Sequence, residues 1–190
     1  MSAYKLIIGL GNPGAEYAET RHNAGFWLLD TLANQLSIRL TTESKFFGLA
    51  GKGLVSSHEV HLLKPMTFMN RSGQSALALA QFYKIKPRQI LIIHDELDIE
   101  PGQIRLKHGG GHGGHNGLKD LHRVLGPEYA RIRVGIGHPG HKSKVHGYVL
   151  GKATSEQREN IDDAIHHTLK FMTDIVQGNW DHAMNALHQR

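Results

Sequence analysis

Two side chains in this sequence of 190 residues have the type and setting that hydrolytic chemistry needs. Proton transfer at neutral pH calls for an imidazole. A carboxylate bonded to that imidazole fixes its tautomer and stabilises the imidazolium it becomes. His22 follows a polar turn and opens a helical pattern, which predicts a surface histidine free to titrate. Asp95 ends "ILIIHD" (90–95), the best candidate for a buried strand, and strand ends face the ligand crevice in open α/β sheets. Four asparagines, Asn12, Asn23, Asn70 and Asn116, fall at element boundaries. Their amides suit gripping a peptide backbone or holding a water, and equally suit caps and turns. No Gly-x-Ser-x-Gly elbow occurs, so water activated by histidine is a simpler reading than a nucleophilic serine. The absence of cysteine excludes disulfides, thiolate–metal sites and a cysteine nucleophile.

Two glycine-rich motifs stand beside these residues. "GLGNPG" (9–14) matches a dinucleotide fingerprint formally, but an apolar helix does not follow it. The acidic residue at the right distance, Asp30, falls inside a helical pattern. A tight turn set by Pro13 is the plainer reading, and it leaves Asn12 at the end of the first strand. "HGGGHGGHNG" (108–117) admits more. His108, His112 and His115 could bind a metal, although a glycine loop offers no helical face to converge them. The segment lacks the Gly-Lys-Ser/Thr ending of a phosphate loop. It could instead bring backbone close to a bulky ligand and end at a helix N-terminus, or it could be flexible with no role.

The elements that must position these residues can be read from periodicity. Strands are expected at 5–10, in "FFGLAGKGLV" (46–55), at 59–64, 90–95 and 103–107, and at 130–137. Helices are expected from about Asn23, over 70–84 with Asn70 as N-cap, over 116–125 with Asn116 as cap, and over about 155–176 and 179–188. Strands alternating with helices predict a single three-layer α/β domain over 1–190, with a mixed, mostly parallel sheet flanked by helices. The C-terminal helices (about 155–188) would pack on that core or cover a cleft. Residues 138–147 read as a loop.

Charge narrows the partners. Net charge is +5, from 22 Lys+Arg against 17 Asp+Glu, with 15 histidines besides. Nine cations, Arg105, Lys107, Lys119, Arg123, Arg131, Arg133, Lys142, Lys144 and Lys152, fall in one stretch whose acids are chiefly Asp120 and Glu128. Such a stretch suits a polyanion, or it is an ordinary solvated face. No apolar run approaches the roughly 18–20 residues of a membrane-spanning helix, and the start lacks the pattern of a secretory signal. A cytoplasmic protein is therefore expected.

Together these blocks resemble the bacterial-type peptidyl-tRNA hydrolases. The resemblance runs in order through "GLGNPGAEYAETRHNAG" (9–25), "KPMTFMNRSG" (64–73), "HDELD" (94–98), "KHGGGHGGHNGLKD" (107–120) and "RIRVGIGHPG" (131–140), with "GYVLGK" (147–152) and the helical tail. It implies hydrolysis of the ester joining a peptide to the terminal ribose of tRNA, by a monomer without cofactor or metal. It also implies His22 as general base with Asp95 as its partner, and Asn12 and Asn70 positioning substrate and water. Asn116 would hold peptide and water across the cleft. Tyr17, Met69 and His115 would line that cleft, and Lys107 and Arg133 would clamp a tRNA phosphate. The rival expectation is a non-catalytic RNA- or nucleotide-binding module.

Overall fold

The computed structural model describes residues 3–188. Seven strands form one sheet: β1 (Leu6–Gly9), β2 (Thr41–Glu43), β3 (Gly48–Val55), β4 (His58–Pro65), β5 (Ile90–Glu96), β6 (Ile104–His108) and β7 (Ala130–Gly135). Their order is β2-β3-β4-β1-β5-β7-β6. The four central strands, β4, β1, β5 and β7, run parallel, while β2, β3 and β6 pair antiparallel at the two sides. The mixed, mostly parallel sheet expected from the sequence is what the chain forms.

Parallel strands covered on both faces read as continuous apolar runs. Residues 90–95 of β5 and all of β1 are buried accordingly. Successive β5 side chains alternate between two cores. Leu91 and Ile93 join a cluster with Leu28, Leu32, Ile165 and Trp180. Ile90 and Ile92 join another with Leu79, Leu118 and Tyr129. The first core is roofed by α1 (Ala24–Gln35), α5 (Ser155–Leu169), α6 (Met172–Gln177) and α7 (Trp180–His188). The second is roofed by α2 (Ser72–Phe82) and α3 (Asn116–Leu125). Among the described residues no helix is long and apolar enough to cross a membrane.

Several expected boundaries shift. The short edge strand β2 carries no apolar pattern and was not anticipated. Residues 44–46 form a 3₁₀ turn, so β3 begins at Gly48. Asn70 is no N-cap: it lies inside the 3₁₀ turn Met69–Arg71, and α2 starts at Ser72. The 155–176 pattern breaks after Leu169 into α5 and α6. The loop at 138–147 contains the 3₁₀ turn Lys142–Lys144 and leads into α4 (Val145–Val149).

Candidate active site

The C-terminal ends of β1 and β5, with the turns that follow β1 and β4, open on a cleft of about 650 Å³. His22 enters it from a 3₁₀ turn, Arg21–Asn23, that runs straight into α1. Close packing makes that entry possible. A Cβ on Gly25 would stand 2.6 Å from Leu10 O, so only glycine lets α1 begin against the strand end. The turn is therefore buried, and His22 is 7% exposed, against the surface position expected from its polar surroundings.

His22 Nδ1 lies 2.9 Å from Asp95 Oδ2. Burial alone would lower the imidazole pKa, but the charge of Asp95 and the hydrogen bond outweigh it, and the net shift is upward. Asp95 is 3% exposed. Burial would raise its carboxyl, but the imidazoles of His22 and His115, with their hydrogen bonds to it, win and hold it far below the usual carboxylate range. The carboxylate is thus shared: His115 Nε2 approaches Oδ1 at 2.8 Å. His115 Nδ1 accepts from the backbone N–H groups of Gly117 and Leu118, so His115, and not Asn116, is the N-cap of α3. An imidazole accepting at Nδ1 carries its proton on Nε2, and it therefore donates to Asp95.

That protonation decides what the trio can hold. His22, Asp95 and His115 place one ligand atom each within 4.8 Å of one another. A cation there would need a lone pair on His115 Nε2, which the α3 cap denies it. The glycine segment does not make a metal site either, because its histidines diverge. His108 stacks on Trp180 at 3.8 Å, and His112 Nδ1 accepts from Gly114 N–H. The loop is fastened, not slack. Arg131 donates to the carbonyls of Gly109 and Gly111, and His122 Nε2 bonds Gly110 O. Gly109, Gly110, Gly113 and Gly114 all take φ between 59° and 98°, a conformation that favours glycine.

The remaining expected residues also line this cleft: Asn12, Tyr17, Met69, Asn70 and Asn116. Asn12 is held on three sides. Its Oδ1 accepts from Met69 N–H at 2.7 Å, and its backbone N–H and C=O bond the side chain of Asn23. With Oδ1 occupied, the Asn12 NH₂ is the end left for a ligand. Asn70 and Asn116 are exposed at the cleft wall. Tyr17 meets Phe68 edge to face at 6.2 Å.

Lys107 and Arg133 lie outside the cleft, on the antiparallel pair β6–β7. The register sets Arg105 opposite Arg133 and Lys107 opposite Arg131, so strand alternation puts all four on one face. Arg131 is buried under the loop, and Arg133 reaches Glu96 of the cleft wall at 3.8 Å.

The chain matches the family described as peptidyl-tRNA hydrolase over residues 6–190. The chain belongs to this family. It is 55% identical over 188 residues to the peptidyl-tRNA hydrolase of Acinetobacter baumannii strain AYE, covering 99% of this chain and 97% of that one. The peptidyl-tRNA hydrolase of Neisseria gonorrhoeae is 54% identical over 187 residues. A crystal structure of the Acinetobacter baumannii peptidyl-tRNA hydrolase superposes with a TM-score of 0.95, covering 98% of this chain and 95% of that one, at 55% identity. Membership of the peptidyl-tRNA hydrolases makes this chain one of a family of hydrolases.

Two features of this peptidyl-tRNA hydrolase family member escaped sequence reasoning. Arg21 stacks its guanidinium 3.9 Å from the Tyr148 ring centroid and donates to Tyr148 O and Gln157 Oε1. With Arg21 N–H bonded to Gly151 O, the turn that carries His22 is tied to α4 and to the start of α5. His94 is fully buried beside Asp95, and its Nδ1–H donates to Asp95 O. Burial pushes the His94 imidazole down to about 3, which keeps it neutral. Both pairings span sequence distances or burial that no local pattern signals.

Proposed function

We propose that this chain hydrolyses the ester between peptide and tRNA in peptidyl-tRNA, with His22 as general base. One observation carries the reading. Asp95 takes His22 Nδ1–H, so Nε2 is the nitrogen left to accept a proton, and the imidazole stands in the wall of a cleft lined by three asparagines. His22 takes a proton from water as the water oxygen attacks the ester carbonyl carbon. The tetrahedral intermediate collapses, the imidazolium returns the proton to the leaving ribose oxygen, and free tRNA and a peptide acid result, the acid then releasing its proton to solvent.

Asn12, fixed with its NH₂ toward the cleft, supplies a donor for a carbonyl oxygen or for the water. Asn70 and Asn116 bind the peptide main chain from the two walls, beside Tyr17, Met69 and His115. A peptide bond offers these amides a partner that a free ammonium lacks, which favours N-blocked substrates. Lys107 and Arg133 take a tRNA phosphate at the cleft's flank, a contact that positions without reading sequence. The names and identities of the relatives support the same reaction.

The test is release of tRNA from N-acetyl-aminoacyl-tRNA and from the unblocked aminoacyl-tRNA, with and without a chelator, for the parent and His22→Ala. Cleavage of the blocked ester alone, indifferent to chelator and lost in the variant by about 10²–10⁴-fold, is expected. Binding of tRNA without turnover in the parent would leave a binding module instead.

A further inference from the structure

Six large apolar side chains are exposed among the described residues: Phe47, Leu54, Met66, Phe68, Phe82 and Tyr83. Five of them form a row that starts at the cleft. Phe68, 57% exposed, meets Tyr17 of the cleft wall edge to face. Met66 lies two residues before it, and Met66 N–H bonds Phe47 O at 2.9 Å. The neighbour of Phe47, Phe46, is buried and packs its ring against Phe82 at 5.4 Å and Tyr83 at 5.8 Å. The row therefore leads from the segment that precedes α2 to its last residue, Phe82, and its C-cap, Tyr83. At 1.5 Å per residue, the 11 residues of α2 span roughly 16 Å.

The direction of this row matters. β4 and β3, against which it runs, lie on one side of β1 and β5; β7 and β6, with Arg105, Lys107 and Arg133, lie on the other. A substrate whose ester sits at the centre and whose phosphates rest on the β7–β6 side sends its peptide toward the β4–β3 side. A run of exposed aromatic and thioether surface is unusual on a soluble protein unless something covers it.

We propose that this row receives the peptide portion of the substrate beyond the residues held in the cleft, as an extended chain lying along α2. The proposal rests on the function given above. Rings and a flexible thioether grip apolar side chains without a fixed code, which suits peptides of any sequence. An extended chain advances about 3.3 Å per residue, so the row accommodates about five residues and gains nothing from longer ones.

The experiment compares one tRNA species carrying N-acetyl-aminoacyl, or apolar peptides of about four, ten and fifteen residues. For the parent, KM falls by about tenfold between four and ten, a ratio that covering roughly one exposed aromatic supplies, and is flat from ten to fifteen; kcat is constant. The double variant Phe47→Asn with Phe82→Ser brings KM for the ten-residue substrate back to that of the four-residue one, and leaves the N-acetyl substrate unchanged. Asparagine tolerates the left-handed backbone of Phe47, at φ 54°, so the fold is kept. A parent KM independent of length, an equal rise on short and long substrates, or a variant that alters only self-association overturns the proposal. Failure of the parent to cleave any blocked ester overturns the assigned function, and this inference with it.

Discussion

His115 donates from Nε2 to Oδ1 of Asp95 at 2.8 Å while its Nδ1 caps α3, so one imidazole fastens both the carboxylate and the helix that presents Asn116. The two tasks can be separated by substitution. His115→Asn keeps a good N-cap and loses the bond to Asp95, whereas His115→Ala loses both. Both variants are expected to be slower, and the alanine variant alone to lose about 1 kcal/mol of cap stability. Thermal unfolding beside kcat on N-acetyl-aminoacyl-tRNA measures this. Full activity in the asparagine variant would remove His115 from the work of aligning Asp95.

The pH dependence follows from the pair His22–Asp95. As the proposed base His22 must be neutral, and its pKa is raised, so kcat/KM should climb with pH through a value above the ordinary imidazole value of about 6.5. In Asp95→Asn the attraction is gone and burial remains, which lowers the pKa. The acid limb then moves to lower pH as kcat falls, by about 10²–10⁴-fold. A limb that stays in place would contradict the assignment of His22.

Stability obeys the same linkage. The depressed carboxyl of Asp95 contributes stability that is present above its unfolded pKa of about 3.9 and is lost as pH falls. The raised imidazole of His22 contributes below about 6.5, and that part is lost as pH rises through its folded value. Asp95→Asn should therefore differ most from the parent between about pH 4 and 6.5. Denaturant midpoints at pH 5 and pH 8 test the sign.

Gly25→Ala sets helix propensity against packing. Alanine gains up to about 1 kcal/mol over glycine within a helix. Its Cβ would meet Leu10 O at 2.6 Å and Leu10 N at 2.7 Å, backbone atoms that cannot step aside. Overpacking of this kind costs about 1–3 kcal/mol, so the net effect is destabilising. Displacement of α1 also draws His22 away from Asp95. Loss of Tm with loss of kcat is the expected result; a stabilised, fully active variant would refute it.

Lys107→Ala and Arg133→Ala should each weaken tRNA binding and flatten its dependence on salt, by roughly one unit of logarithmic slope. Binding titrations across ionic strength measure this. An unchanged slope would place the phosphate elsewhere, with Arg105 on the same face as the next residue to replace.

These contacts mark what local sequence reveals. β5 was legible because a strand buried on both faces reads as one apolar run, and Asp95 followed as its last buried residue, although the strand runs on to Glu96. The burial of His22 was not legible. Its flanking Arg21 and Asn23 look polar, yet both are buried, Arg21 with Tyr148 and Gln157 far along the chain and Asn23 on the backbone of Asn12, 11 residues away. The cap of α3 shifted by one residue because an imidazole can do what an asparagine usually does, and only the position of Asp95 shows which nitrogen is free to do it. The glycines of 108–117 announced an unusual backbone, while the arginine that fastens it, Arg131, sits 22 residues beyond Gly109 in a strand of ordinary pattern.

The tie between Arg21 and the Tyr148–Gln157 segment also bears on how the molecule is assembled during synthesis. The turn that carries His22 is made 127 residues ahead of Tyr148, one of the residues that fasten it. Until they emerge, a growing chain holds the imidazole on a turn that lacks its ties to α4 and α5. The turn is therefore fully fastened only once both of these stretches have been made, which links its two ends to one late step of assembly.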